Sequence, residues 1–325
     1  MLIGFFIRAY YVSYISVIQN QHDSGTVLSE YGHLGYINWF LRHDHLPDFD
    51  VRTLDQFWHP PLHYMLAAYF LKICWRLFPS LSGNYELIQA LPLLYVTIAS
   101  FLTADILRLI MRKDSTAFFL ALSFSVFSPA MVICAASVNN DALLMMLSCL
   151  TLDLAIRWFR DPKTYLIISL AVSFGLSMST KKTASLLAFP IALLFAVRFI
   201  GIDNASGPTR RKLLEQFGLF LVIASPLALW WYIRNYQLYG VPMGYVWSID
   251  DPAGYEAYLG HIPSGYQPGH RAIQKRSGRH LDLELFGRQA EKALLSPSAF
   301  TDCCRHPVDD CRPVLYAPQY LLQPV

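Results

Sequence analysis

The chain has 325 residues, of which 54% are apolar and only 15% charged, and its mean hydropathy is +0.33. That balance excludes one or two ordinary soluble domains, because too few polar groups exist to cover so much apolar surface. The formal net charge of +3 says little by itself and points to no nucleic-acid partner; the placement of the basic residues says more.

In chain order, residues 1–19 read as a first, marginal span. The run opens at Met1, contains Arg8 and has no small-residue cleavage site, so it is not a cleavable leader, and its abrupt start implies a lost short extension. A polar loop over residues 20–63 follows. It begins with Gln21-His22-Asp23 and ends with Trp58-His59-Pro60-Pro61-Leu62-His63. So many titratable groups beside a bilayer are expensive unless they work there. Residues 60–78 are apolar but open with two prolines and carry His63, Lys72 and Arg76. Further apolar runs cover 85–111, 117–136, 142–159, 165–179, 184–200 and 217–233, several of them 17 residues or longer, which is the signal of membrane-spanning helices. Residues 1–248 thus form a membrane core. Residues 249–325 are rich in Gly, Pro, His and charge, with no spanning run; they read as a polar extracytoplasmic tail or as a chain cut short.

Basic residues favour the cytoplasmic ends of spans. Arg108/Arg112/Lys113, Arg157/Arg160/Lys163 and Arg198 with Arg210/Arg211/Lys212 are separated by pairs of runs, so they share the inner side. The loops around Asn139, Lys181 and Arg234 then lie outside. If Asp23 is also outside, one of the runs 60–78 and 85–111 does not cross. The prolines and basic residues of 60–78 make it the interfacial or re-entrant one. The expected fold is an all-α polytopic membrane bundle of about seven spans, with interfacial helices in the first outside loop.

Asp23 stands at a span end beside His22, where a partly desolvated carboxylate suits a general base; the plainer reading is a helix-end Asp facing water. Lys181, Lys182 and Arg234 emerge on the outer side and could hold an anionic group there, or could simply snorkel. Asn139, Asn140 and Asp141 read as an ordinary N-cap ahead of an apolar run. The five histidines His33, His43, His45, His59 and His63 show no usual ligand spacing, and a divalent metal is the lesser reading. No metal ligands or other cofactors are assigned. Cys74, Cys134 and Cys149 read as packing residues; Cys303, Cys304 and Cys311 leave a disulfide or a zinc site with His306 open. Asp105 and Asp153 are expected to pair with Arg108 and Arg157.

Several of these pieces together resemble a known superfamily. Asp23 after the first span, Tyr31-Gly-His-Leu-Gly-Tyr-Ile-Asn-Trp39, His59-Pro60-Pro61-Leu62, Ser137-Val-Asn-Asn-Asp141, Lys181-Lys182-Thr183 and Trp231-Tyr-Ile-Arg234-Asn235 resemble the GT-C membrane glycosyltransferases. The match is to the protein O-mannosyltransferase-like and aminoarabinose-transferase-like group, over roughly residues 5–250. The resemblance implies a GT-C-like helical bundle. It also implies a polyprenyl-phosphate sugar donor, a protein, lipid or glycan acceptor, and an active site on the periplasmic or luminal face of a multi-pass protein. It places the catalytic Asp on Asp23, with inversion at the sugar, and an amphipathic helix over residues 30–42. Lys181, Lys182 and Arg234 would hold the donor phosphate, with His22, His59, Asn140 and Asp141 in the pocket. The resemblance makes Asp141 a second acidic site that orients an acceptor. Members usually carry further spans and often a C-terminal domain. The competing readings are a transporter or flippase, against which the absence of two-fold hydropathy symmetry counts, and a catalytically inactive homologue.

Overall fold

The computed structural model describes residues 1–18, 25, 30–113, 115–201 and 209–246. All belong to the first of two compact units, Met1–Pro263. The helices are α1 (Leu2–Tyr14), α2 (Gly32–His43), α3 (Leu62–Leu77), α4 (Ala90–Ile110), α5 (Thr116–Phe127), α6 (Pro129–Cys134), α7 (Asp141–Arg160), α8 (Thr164–Met178), α9 (Ala188–Ile200) and α10 (Arg210–Tyr239). Short 3-10 turns, Pro79–Leu81, Tyr85–Gln89 and Lys182–Leu187, join them, and no strand occurs among the described residues. Helix is the only way these apolar runs can satisfy their backbone internally in lipid. Ser115 and Thr209 cap α5 and α10 by accepting from the N–H groups of Phe118 and Lys212, and Gly240, at φ 65°, closes α10.

Four helices, counted with the turns that lead into them, are long and apolar enough to cross a bilayer: Tyr85–Ile110, Asp141–Arg160, Lys182–Ile200 and Arg210–Tyr239. Thr116–Phe127 and Thr164–Met178 are apolar but shorter. With α1, the expected spans are thus all helical. Their outer faces carry large apolar side chains, Phe124 and Phe189 each being 81% exposed, which only lipid would cover. The run read as a single helix over 117–136 is broken at Ser128-Pro129. Pro129 brings no N–H, and Ser128 takes the extended backbone (ψ 130°) that a following proline imposes.

The break has a partner. Arg8 in α1, only 1% exposed, donates from Nη1 to the Ser100 hydroxyl of α4 at 3.0 Å and to the Val126 carbonyl in the last turn of α5 at 3.5 Å. A Cβ on Gly4, one turn earlier, would sit 2.3 Å from Val126 Cγ1, so α1 can lie this close to α5 only with glycine there. Between α7 and α8, Thr151 and Ser173 share a buried hydroxyl contact at 2.8 Å, a small interhelical tie of the kind membrane bundles use.

The two groups of loops lie at opposite ends of the bundle. At one end Arg160 bonds the Leu109 carbonyl, Arg157 reaches Asp105 at 3.8 Å and Asp153 at 2.6 Å, and Arg108 pairs with Asp105 at 2.7 Å. Gln216 of α10 ties this end to Trp158 and to the Pro162 carbonyl. At the other end the Asn140 side chain reaches the Thr180 carbonyl, Lys182 the Gly244 carbonyl and Arg234 the Pro47 carbonyl. α3 is tied to this second end at its start, by Leu62 N–H to the Ser179 carbonyl. Near its own end, Trp75 donates to the Asn84 carbonyl. α2, α3 and the segment between them bury one apolar cluster, in which Tyr36 stacks on Phe57 and on Tyr64, with ring centroids 4.2 Å apart in both cases. Such pairs contribute about 0.5–1.5 kcal/mol each beyond the area they bury.

Candidate active site at one end of the bundle

Asp23 and His22 lie outside the described residues. The other candidates fall where helix ends converge.

Lys181 follows α8, and its Nζ is 2.5 Å from Asp141 Oδ1 in the first turn of α7. Two elements distant in sequence are joined here by opposite charges, and an ammonium still has two further N–H groups to offer. Asp141 is placed by Asn139, whose side-chain oxygen accepts the Asp141 N–H at 3.0 Å. Asn140, expected in the N-cap motif, does something else. It is fully buried, gives its amide N–H to the Thr180 carbonyl at 3.0 Å, and leaves Oδ1 without a hydrogen bond.

Three buried histidines lie within electrostatic reach of this pair. His59 precedes the two prolines that lead into α3; it is 5% exposed and its ring lies tilted against Trp58, centroids 3.7 Å apart. Burial first, and then the charges of Lys181 and Lys182, push its pKa down to about 3. His63, in the first turn of α3, lies 2.8 Å from the Val138 carbonyl through Nε2. A carbonyl only accepts, so the proton sits on Nε2 and the Nδ1 lone pair is left buried without a partner. Burial holds His63 down to about 4, although the Val138 carbonyl and Asp141 both pull the other way. His33 of α2 shares a hydrogen bond with the Tyr64 hydroxyl at 2.9 Å; burial, His59, His63 and Lys181 all keep it well below the ordinary histidine value. All three imidazoles are therefore neutral at physiological pH. The site combines a paired cation with uncharged groups whose buried atoms, His59 Nδ1, His63 Nδ1 and Asn140 Oδ1, make no hydrogen bond among the described residues.

Lys182 donates to the Gly244 carbonyl at 2.8 Å and to that of Tyr245 at 3.5 Å, tying the start of its 3-10 turn to the segment after α10. Arg234 is held firmly: Nη2 donates to the Pro47 carbonyl at 2.6 Å and Nη1 to Asn235 at 3.0 Å, with the guanidinium over the Trp231 and Tyr239 rings. Trp231 in turn donates to the Trp58 carbonyl at 3.3 Å, beside His59. The structure thus brings Lys181, Asp141, Asn140, His59 and His63 together, with Lys182 within electrostatic reach of His59. Arg234 is set one residue layer away, through Trp231 and Trp58. Tyr64, Glu86 and Gln89 carry no motif in the sequence: the partners lie 31 residues away for Tyr64 and 47 to 74 for Glu86 and Gln89, and leave no local pattern. No group of three or more His, Cys, Asp or Glu side chains is arranged to hold a metal among the described residues.

An all-α polytopic bundle with a cation–carboxylate pair and neutral polar groups gathered at one end of its spans has the build of a membrane transferase. Residues 59–230, more than half of the chain, match the family of dolichyl-phosphate-mannose-protein mannosyltransferases. The chain belongs to that family, and so to the GT-C glycosyltransferases. No curated protein matches it.

Proposed function

We propose that the protein transfers a sugar from a polyprenyl-phosphate donor to a hydroxyl of an extracytoplasmic acceptor, inverting the anomeric carbon, with Asp23 as general base. The observation that carries this reading is Lys181, paired with Asp141 where the helix ends meet, with neutral His59, His63 and Asn140 at the same end.

In the reaction the acceptor oxygen forms a bond to the anomeric carbon as the bond from that carbon to the phosphate oxygen breaks. The acceptor proton passes to Asp23, and the lipid phosphate leaves with the electron pair. A phosphate needs little acid help to depart, so one carboxylate suffices, unlike the pair used in glycoside hydrolysis. The departing charge needs cations near a low-dielectric leaflet, which Lys181 and Lys182 supply. Neutral imidazoles fit the same chemistry, since positive charge develops on the sugar ring and a protonated histidine beside it would oppose that. The outward side is assigned from the other end of the bundle, where Arg108, Arg157, Arg160 and Arg210 gather. α3, bound at both ends to the active-site end, would lie along the surface of that leaflet.

The test is turnover by the purified protein in lipid with a panel of polyprenyl-phosphate sugars. Asp23→Asn is expected to abolish transfer while donor binding persists; retained turnover would exclude Asp23 as the base.

A further inference from the structure

We infer that the 3-10 turn Tyr85–Gln89 is a clamp that fixes both approaches to the loop carrying Asp23, and that Gln89 and Glu86 are positioning residues for transfer. The inference rests on the reading of Asp23 above.

Gln89 is 3% exposed and sits at the entry of α4. Its Nε2 donates to the Ile15 carbonyl at 3.0 Å and to the Ala136 carbonyl at 3.2 Å. A primary amide has two N–H groups, and here each goes to a carbonyl just past a helix C-terminus, α1 in one case and α6 in the other. These are groups that a helix leaves without an internal partner. Ile15 has already left the helix, with extended backbone (φ −97°, ψ 131°), so its direction is set by what holds it. One turn earlier the Glu86 carboxylate accepts from the Ser16 hydroxyl at 2.8 Å and from the Val17 N–H at 3.0 Å. The same turn reaches beyond the loop as well: the Tyr85 hydroxyl donates to Asn38 of α2 at 2.9 Å. Asn84 orders the turn by accepting the Glu86 N–H at 3.0 Å.

Thus one five-residue turn, continuous with a 21-residue helix, grips residues 15–17 before the loop and Asn38 after it. Sites held by rigid elements keep their geometry better than sites on free loops, and a displacement of about 1 Å at reacting groups can cost about a hundredfold in rate. Glu86 is exposed, so its bonds compete with water and add little to global stability. Their effect is local, on where the chain leaves α1.

The experiment pairs Glu86→Ala, Glu86→Gln and Gln89→Ala with two readouts, steady-state transfer and amide hydrogen exchange. Gln89→Ala and Glu86→Ala should lower kcat about tenfold or more while KM for the lipid donor stays within about twofold. Glu86→Gln, still able to accept one bond, should recover part of the loss. Exchange at the Val17 amide should rise about tenfold in Glu86→Ala with the melting temperature unchanged. If exchange at Val17 does not change, the clamp is wrong. If exchange rises and kcat does not fall, the positioning role is wrong. Because exchange does not depend on chemistry, it judges the clamp even if Asp23→Asn keeps its turnover. Should Gln89→Ala fail to fold, the exposed Glu86 still decides the matter.

Discussion

Replacing Lys181 separates the catalytic reading of the active-site end from a purely structural one. Lys181→Gln keeps a polar, hydrogen-bonding side chain, one atom shorter, and removes its charge. The partner, Asp141, is 40% exposed and Lys181 itself 22%, so the carboxylate left behind remains solvated. Two charges at this depth attract by about 4 kcal/mol at 4 Å in gross terms, but exposed pairs yield only about 0.2–1 kcal/mol net. The stability loss should therefore stay below about 1 kcal/mol. A hydrogen bond from the ammonium to a phosphate is a charge-assisted one, worth about 1.5–3 kcal/mol, or roughly ten- to a hundredfold in donor binding and in kcat/KM. The assay is kcat/KM with a polyprenyl-phosphate sugar beside thermal unfolding in the same lipid, for Lys181→Gln, Asp141→Asn and the double variant. A large fall in kcat/KM with a small change in stability supports phosphate binding. Restoration of turnover in the double variant, or unchanged donor affinity in Lys181→Gln, would refute it, since a structural pair alone behaves that way.

Other outcomes follow from the same geometry. His59 and His63 have folded pKa values of about 3 and about 4 against 6.5 for an ordinary histidine, so the unfolded chain takes up their protons first. Their contribution is complete above about pH 6.5 and is lost as pH falls toward 4, by about 1.4 kcal/mol per unit for each; unfolding measured across that window should flatten in His59→Gln. Gly35→Ala should destabilise by about 1–3 kcal/mol, because the new Cβ would meet the Glu30 backbone at 2.5 Å and push the start of α2 away; chemical denaturation checks it, and an unchanged midpoint sinks it. Cysteines introduced as Asp48→Cys, Asn139→Cys and Met243→Cys should react with an impermeant reagent from the opposite side of the membrane to Lys113→Cys, Lys163→Cys and Arg211→Cys. A mixed pattern would break the proposed topology.

Much of the bundle could be read from its apolar runs, because length and hydropathy set which segments can span. α2 falls within a residue or two of the amphipathic helix expected over 30–42. Proline was the harder signal. Pro92 lies in the first turn of α4 and Pro226 lies inside α10, and neither ends its helix, whereas Pro129 does. Nothing local separates Pro226 from Pro129. What differs is tertiary: the Val126 carbonyl just before Ser128-Pro129 has Arg8 to accept from, so the break can be satisfied. The site divides in the same way. His59, Lys181, Lys182 and Asp141 were visible as polar residues at span ends, but the pairing of Lys181 with Asp141 spans 40 positions and belongs to the packed bundle alone. Asn140 stands at the N-cap of α7, where the motif put it, but its side chain makes no capping bond and gives its amide N–H to the Thr180 carbonyl instead. Gln89, one polar residue at the mouth of an apolar run, carries its meaning only through the ends of two other helices.

Arg8 bears on how the protein is made. Its hydrogen-bond partners lie 92 and 118 residues downstream, so during synthesis α1 enters the membrane long before anything can receive its guanidinium. A lone arginine near the middle of a hydrophobic segment disfavours insertion by about 2.5–3.5 kcal/mol on the cellular scale. α1 should therefore remain at the translocation machinery, or sit shallowly at the lipid surface, until Ser100 and Val126 have emerged from the ribosome.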